Sequence, residues 1–334
     1  MRVAELRTKI VRSDSCDPWF NLALEEYLMQ NVLDHEVILY LWQNDRTVVI
    51  GRNQNAWKEC AWEQLEKNGG KLARRLSGGG AVYHDLGNLN FTFLMRKRHY
   101  DLKKQLTVIL DSLKKFDIDA QISGRNDLLI GDRKFSGHAF CFRGQAAYHH
   151  GTILINSDVD KMADCLRPSK SKIASKGVDS VRSRVVNLVE LNPSLSIPAV
   201  MDSLAESFGI VYGRPREHLT FDENKIDLSS AYQKYSSWEW RFGESPQFDI
   251  SFSERFSWGE IEIGLRLKKG RVESCTVFSD AMDEKLIRRI PPVLQGVPFS
   301  PESISQAIQT LHSHHKEGNE IIDDIFQWIK GAVL

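Results

Sequence analysis

The chain has 334 residues, with 44 Lys or Arg against 44 Asp or Glu, and is 42% hydrophobic, 26% charged and 10% aromatic. That length predicts two domains, or one large domain with an appendage, and the ordinary composition excludes both a small disulfide-stapled scaffold and a chain that is mainly disordered. Zero net charge removes the global electrostatic footprint of a protein that lives on nucleic acid, so any basic site has to be local.

Asp17-Pro18 followed by WFNLALEEYLMQ predicts an N-capped helix with Pro at its first position and an apolar face of Phe20, Leu24, Tyr27 and Leu28. VILYLW and TVVIG, separated by the polar stretch Gln43 to Arg46, predict a buried hairpin. AWKECAWEQLEK predicts the next helix, ended by Asn68-Gly69-Gly70. KLARRL, AVYH and NLNFTFLM then predict strands with glycine-rich connections, and a helix follows over Lys103 to Phe116. DLLI, RKFSGHAF and GTILI complete a sheet of largely sequence-adjacent strands, which favours an α+β fold with a mixed or antiparallel sheet over regular strand-helix alternation.

Arg167 to Arg184 is rich in Lys, Arg and Ser, has hardly any large apolar side chain, and reads as a mobile loop. A boundary is expected near Phe242 to Gln247. Beyond it, FDISFSERF, a Lys269-Gly270 turn between alternating strands, and helices over Asp283 to Ile290, Pro301 to His312 and Glu320 to Ile329 predict a small α+β domain. The expected division is 1–244 and 248–334. Five widely and irregularly spaced cysteines without C-x-x-C indicate neither a zinc knuckle nor a disulfide framework, and fit a reducing compartment. No apolar stretch approaches the ~20 residues that span a bilayer. The start, MRVAELRTKIVR, carries Glu5 and no apolar core, so a targeting segment is expected to be absent or removed.

The most informative segment is RRLSGGGAVYHDLGNLN, Arg74 to Asn90. Three consecutive glycines between strands let backbone N–H groups approach a ligand closely, and the flanking arginines favour an anion, so a cradle for a carboxylate or phosphate is expected. It is neither the dinucleotide fingerprint nor a P-loop, and bare GGG alone would be a glycine bulge in a sheet. In GRNDLLIGDRKFSGHAFCFRGQAAYHHG, Gly124 to Gly151, Asn126 and Asp127 can ligand Mg²⁺ or position phosphate. Lys134 beside Ser136-Gly137 can aim one ammonium at an anionic centre, although taken alone it reads as a surface lysine. His149-His150 read as a half-buried strand residue and its exposed neighbour, with no third ligand at zinc spacing, and no metal site is expected.

SDSCDPWFNLALEE (13–26), TVVIGRNQNAWKE (47–59), RRLSGGGAVYHDLGN (74–88), GRNDLLIGDRKFSG (124–137), HHGTILIN (149–156), SKGVDSVRSRVVNLVEL (175–191) and SSWEWRFGESPQF with ERFSWGEIE resemble the lipoate-protein ligases, and within them the mitochondrial lipoyltransferases. The resemblance runs collinearly from about residue 11 to the C-terminus. It implies a catalytic domain like that of biotin ligases and class II synthetases, a small C-terminal domain, and acyl transfer through lipoyl-AMP. Carried onto this chain, Arg74, Arg75, Ser77, Gly78, Gly79, Gly80 and Ala81 would bind lipoate. Lys134 would be catalytic, touching the lipoyl carbonyl and α-phosphate. Asn126 and Asp127, with Lys172, Gly177, Val178 and Arg182 of the Lys170 to Arg184 loop, would bind the adenylate. The acceptors implied are lipoyl domains of 2-oxoacid dehydrogenases and the glycine-cleavage H protein, the compartment is the mitochondrial matrix, and neither nucleic acid nor membrane is a partner.

The acyl chain would need an apolar tunnel, for which Val82, Phe91 and Trp42 are the candidates. One departure stands out. Bacterial ligases of this family tend to read SGSAYRE, whereas this chain reads SGHAFCF, with Cys141 in place of the arginine. Loss of that charge leads to the expectation of transfer from lipoyl-AMP with little activation of lipoate by ATP, Mg²⁺ being needed only for activation. The alternatives are a full ATP-dependent ligase, an octanoyl transferase of the same fold, and a non-catalytic carrier of lipoyl domains.

Overall fold

The computed structural model describes residues 6–123, 127–166, 185–242, 250–268, 270–314 and 319–331, the side chains at 57, 58, 63, 313, 314 and 319 excepted. Asn126, Lys172, Gly177, Val178 and Arg182, the Arg167 to Arg184 loop, and residues 243–249 of the expected boundary therefore lie outside the described residues.

The chain divides into two compact units: Met1–Val49 with Trp57–Arg74 and Val82–Arg241, and Ile50–Ala56 with Arg75–Ala81 and Phe242–Leu334. The first is built on strands β1 (Arg7–Ser13), β2 (Glu36–Trp42), β3 (Thr47–Ile50), β4 (Lys71–Arg74), β5 (Val82–His84), β6 (Asn88–Arg96), β7 (Gln121–Ser123), β8 (Asp127–Ile130), β9 (Arg133–Arg143), β10 (Ala146–Leu154) and β11 (Glu217–Phe221). Among the described residues, eight of these form one sheet in the order β11-β1-β2-β6-β10-β9-β8-β7. It is mixed for a local reason at each end. Helix α1 (Pro18–Asn31) carries the chain from β1 back to a parallel β2, since parallel neighbours need a crossover. Tight turns with left-handed Gly131 (φ 61°) and Gly144 (φ 52°) join β8, β9 and β10 as antiparallel neighbours.

Asp17 caps α1 as the sequence predicts, its carboxylate accepting from the Trp19 and Phe20 amides. The buried face differs. Tyr27 points outward, and polar Asn21 and Glu25 are buried beside Phe20, Leu24 and Leu28. Nor do β2 and β3 form the expected hairpin. β2 is buried at all seven positions and takes β1 and β6 as partners, while β3 pairs with β5 in a separate three-stranded sheet. A strand buried on both faces is a central one, and a two-stranded ribbon cannot provide that. The helix expected over AWKECAWEQLEK is also two short pieces, Ala56–Glu59 and Trp62–Lys67, interrupted where Cys60 bridges Leu166.

One face of the large sheet packs Leu39, Leu41, Phe91 and Phe93 against helices α2 (Leu102–Lys114) and α3 (Ile197–Tyr212), which contribute Ile109, Leu113, Leu204 and Phe208. The connection ahead of β6 is equally tight, because a Cβ at Gly87 would stand 1.9 Å from the Asn156 carbonyl oxygen. Gly87→Ala is therefore expected to destabilise the first unit by about 2 kcal/mol or more, the cost of overpacking against backbone that cannot yield. Urea unfolding of the purified variant measures it, and an unchanged midpoint would refute it.

The second unit contains β12 (Ile250–Phe256), β13 (Gly259–Lys268) and β14 (Arg271–Ser279) as an antiparallel sheet, with helices α4 (Glu284–Leu294), α5 (Pro301–Gln309) and α6 (Asn319–Gly331). Ile261, Ile263 and Leu265 meet Leu286, Ile290, Ile304 and Ile325 in its core. The chain is thus α+β, with a mixed sheet and a smaller C-terminal domain.

Candidate active site

Strand β9 presents Lys134 by means of a bulge. Opposite β8, Leu128 pairs with Ser136 and Leu129 with Lys134, so Phe135 is the extra residue. The extra position breaks the two-residue alternation: Phe135 enters the core, and Lys134 is re-aimed onto the opposite face of the sheet. The lysine side chain, 36% exposed, lies across Gly137, where a Cβ would meet its Nζ at 2.8 Å and its Cε at 2.9 Å. Nζ stands 2.7 Å from Asp127 Oδ1, an ion pair on the same face. The Val186 amide donates to the Lys134 carbonyl oxygen at 3.0 Å and fixes the backbone there.

From Gly137 a row of side-chain positions crosses one face of the sheet. Thr152 Oγ1 accepts from the Gly137 amide at 3.3 Å; Thr152 pairs with Asn90 on β6, and Asn90 with Trp42 on β2. A parallel row holds Ala139, His150, Thr92 and Tyr40. Three strand spacings separate Gly137 from Trp42, about 14 Å. Polar groups along this face are largely satisfied. Trp42 Nε1 donates to Thr92 Oγ1 at 3.1 Å, Thr92 Oγ1 donates to Glu25 Oε1 at 2.8 Å, and His150 Nδ1 lies 2.8 Å from the same carboxylate oxygen. Asn90 Nδ2, in contrast, is buried with no hydrogen-bond partner among the described residues. A donor in that condition calls for an acceptor beyond the described residues.

Two of the tunnel candidates therefore separate. Trp42 lies on the Lys134 face, whereas Phe91 pairs with Leu41 and packs into the core on the other side. The histidine pair also differs from expectation: both are buried, His149 on the core face and His150 on the Lys134 face. Two strands flank β10, and neither face of it is open to solvent. Glu25, Asn90, Thr92, His150 and Thr152 were missed by residue-level reasoning. The recoverable signal was the i, i+4 pair Asn21 and Glu25 on an otherwise apolar helix face.

The glycine loop, Arg75 to Ala81, belongs to the second unit. Gly79 adopts φ 87°, and its amide donates to the Ala281 carbonyl oxygen at 3.4 Å. Arg52 donates its amide to the Ser77 carbonyl oxygen at 2.8 Å, and a Cβ at Gly51 would fall 2.0 Å from the Gly79 carbonyl oxygen. Arg75 is buried within this loop. Its guanidinium donates to Ser77 Oγ at 3.0 Å, to the Gly78 carbonyl oxygen at 2.8 Å and to the Gly80 carbonyl oxygen at 2.7 Å. Those carbonyls are drawn toward the arginine, so its visible role is to shape the loop. Arg74 belongs to the first unit, where it donates to the Trp240 and Arg241 carbonyl oxygens at 2.9 and 2.8 Å.

Cys141 is 1% exposed and sits opposite Tyr148 on β10. Seven positions of β9 separate it from Lys134, roughly 23 Å along an extended strand, beyond the reach of an arginine side chain. The residue at 141 therefore does not bear on charge around Lys134.

Comparison with known proteins follows the same outline. The model of the lipoyl protein ligase A/B catalytic domain matches residues 17–209, and that of the bacterial lipoate protein ligase C-terminus matches residues 245–329. A lipoate-protein ligase A of Psychrobacter cryohalolentis is 40% identical over 98% of this chain and 99% of its own. The crystal structure of P. falciparum LipL1 in complex with lipoate has a TM-score of 0.85 at 31% identity, covering 97% of this chain and 100% of that one. The bipartite lipoate protein ligase of Thermoplasma acidophilum, described together with its E2 lipoyl domain, has a TM-score of 0.62 at 28% identity, covering 74% of this chain and 99% of that one.

Proposed function

The chain belongs to the lipoate-protein ligase family, and on that premise we propose that it transfers the lipoyl group of lipoyl-AMP to one lysine of an acceptor lipoyl domain. The observation that carries this reading is the Lys134 ammonium lying over Gly137 at one end of the row that leads through Thr152 and Asn90 to Trp42. In this reading the acyl chain would run along that row with its carboxyl end at Lys134.

In the reaction the acceptor amine attacks the acyl carbonyl, the oxygen gains negative charge, and AMP leaves as an anion when the carbon–oxygen bond to phosphate breaks. A cation fixed between carbonyl and phosphate stabilises those stages more than the ground state. Lys134 supplies that cation. Arg75 holds the glycine loop of the second unit in shape. Acceptors of the E2 lipoyl-domain type are supported by the Thermoplasma system, and the glycine-cleavage H protein is the second proposed acceptor.

A second reading, the complete ATP-dependent ligase, is favoured by a specific observation. The cysteine at 141 lies too far from Lys134 to have removed a charge from its surroundings, and the 40% identical relative is itself called a ligase. Activation would also require Mg²⁺. Asp127 beside Lys134 could hold it through one carboxylate together with substrate phosphates, the common arrangement for that ion. Acceptor-domain lipoylation, read by gel shift, is expected from preformed lipoyl-AMP; no shift would refute the function. The same assay with lipoate and MgATP at equal enzyme, with pyrophosphate release followed in parallel, decides between the readings. Comparable rates identify a complete ligase, and transfer from lipoyl-AMP alone a transferase.

A further inference from the structure

Behind Lys134, on the core face of the sheet, runs a chain of buried polar groups that the reaction does not touch. Ser136 Oγ lies 2.9 Å from His138 Nε2, His138 Nδ1 lies 2.8 Å from His149 Nε2, and His149 Nδ1 lies 2.8 Å from Gln105 Oε1. The Gln105 amide nitrogen is turned to Met95 Sδ at 3.3 Å, which leaves its oxygen as the acceptor. An amide carbonyl oxygen cannot donate, so with Gln105 in this orientation His149 Nδ1 carries the proton and Nε2 accepts. His138 then donates through Nδ1 and accepts the Ser136 hydroxyl through Nε2. Every member thus has one protonation state, and the chain runs in one direction from β9 to α2. The rings of Phe91, Phe93 and Phe140 surround His149 at centroid distances of 5.5, 5.9 and 5.0 Å, which keeps water out.

The chain begins at the residue that follows the bulge. A one-residue shift of this strand would turn Lys134 from the ligand face to the core, so the register after the bulge decides where the ammonium points.

We propose that Ser136, His138, His149 and Gln105 are positioning residues for the acyl-transfer reaction, locking the register of β9 after Phe135 so that Lys134 is held on the ligand face. This rests on the assignment of Lys134 to acyl transfer.

The test compares two substitutions in the full chain. His138→Phe keeps a ring and removes both hydrogen bonds. His138→Gln loses the ring but can accept from Ser136 through Oε1 and donate to His149 through Nε2. Single-turnover transfer from preformed lipoyl-AMP is expected to fall about 100-fold in His138→Phe, the scale of a 1 Å misplacement, with KM for the acceptor domain unchanged, and to recover to within about 10-fold of wild type in His138→Gln. If the residue served packing alone, His138→Phe would be the milder change. A wild-type rate in His138→Phe, or His138→Gln no faster than His138→Phe, overturns the proposal. Should His138→Phe fail to fold, Ser136→Ala decides: a loss of at least about 10-fold in rate with unchanged KM supports the chain, and a wild-type rate refutes it. Wild-type enzyme that does not transfer from lipoyl-AMP would instead remove the functional reading itself.

Discussion

Lys134→Ala is expected to fold normally and to lose acyl transfer by about 100- to 1000-fold, the cost of removing one charged donor from a developing oxyanion. The folding half follows from position. The side chain is 36% exposed, its ion-pair partner Asp127 is 35% exposed, and exposed pairs of this kind contribute little to stability. The kinetic half follows from timing, because the acyl carbonyl bears full negative charge only after attack, and a cation placed for that moment lowers the barrier more than it tightens binding. The loss should thus lie in kcat and not in KM. Single-turnover transfer from preformed lipoyl-AMP isolates the step, and a rate near wild type would remove Lys134 from the mechanism. Gly137→Ala supplies the graded control. Its methyl group would meet the flexible end of Lys134 and no backbone, so the fold should persist while Nζ is displaced and transfer falls roughly 10- to 100-fold.

The sequence showed these residues unequally. RKFSG marked Lys134 through a motif, and its surroundings were invisible, because alternation in β9 is broken at Phe135 and a bulge cannot be counted from one strand. The glycine loop was legible as a loop. What its arginines do was not: whether a guanidinium meets a ligand or its own chain's carbonyls depends on where Gly78, Gly80, Trp240 and Arg241 come to rest. The C-terminal strands and helices were legible at their starts, since each is bounded by a turn or a cap such as Asp283 or Ser300, but α4, expected to end at Ile290, runs on through Pro291 and Pro292 to Leu294. The pairing of β2 was not, because VILYLW is apolar at all six positions and carries no record of which neighbours cover it. Glu25 was hidden for the opposite reason. A single carboxylate on an apolar helix face reads as an irregularity until His150 and Thr92 arrive from strands far along the chain.

Stability is expected to fall steeply as the pH drops below 6.5, and the His138–His149 pair is the source. Burial lowers His138 to about 3, with Lys134 and then His150 adding repulsion, and burial likewise holds His149 well below its ordinary value, reinforced by His138 and His150. Both stay neutral in the folded chain while the unfolded chain takes up two protons near pH 6.5, so the unfolded state binds more protons and stability must rise with pH through that window. The full contribution is present above pH 6.5 and is lost as the pH falls toward 3. Each histidine contributes a slope of about 1.4 kcal/mol per pH unit once the unfolded state is protonated. For His138 alone the loss reaches about 2 kcal/mol at pH 5, and His149 adds to it in the same direction, against a total stability on the order of 5–15 kcal/mol. The pair cannot escape by accepting one proton, because that proton would have to enter a ring cluster that excludes water, beside the Lys134 ammonium. Urea unfolding at pH 7, 6 and 5 should show the midpoint falling, with His138→Gln reducing the slope by about half because one titrating ring is gone. Equal midpoints at pH 7 and 5 would show that the folded chain takes up these protons, and that the two histidines are not held neutral.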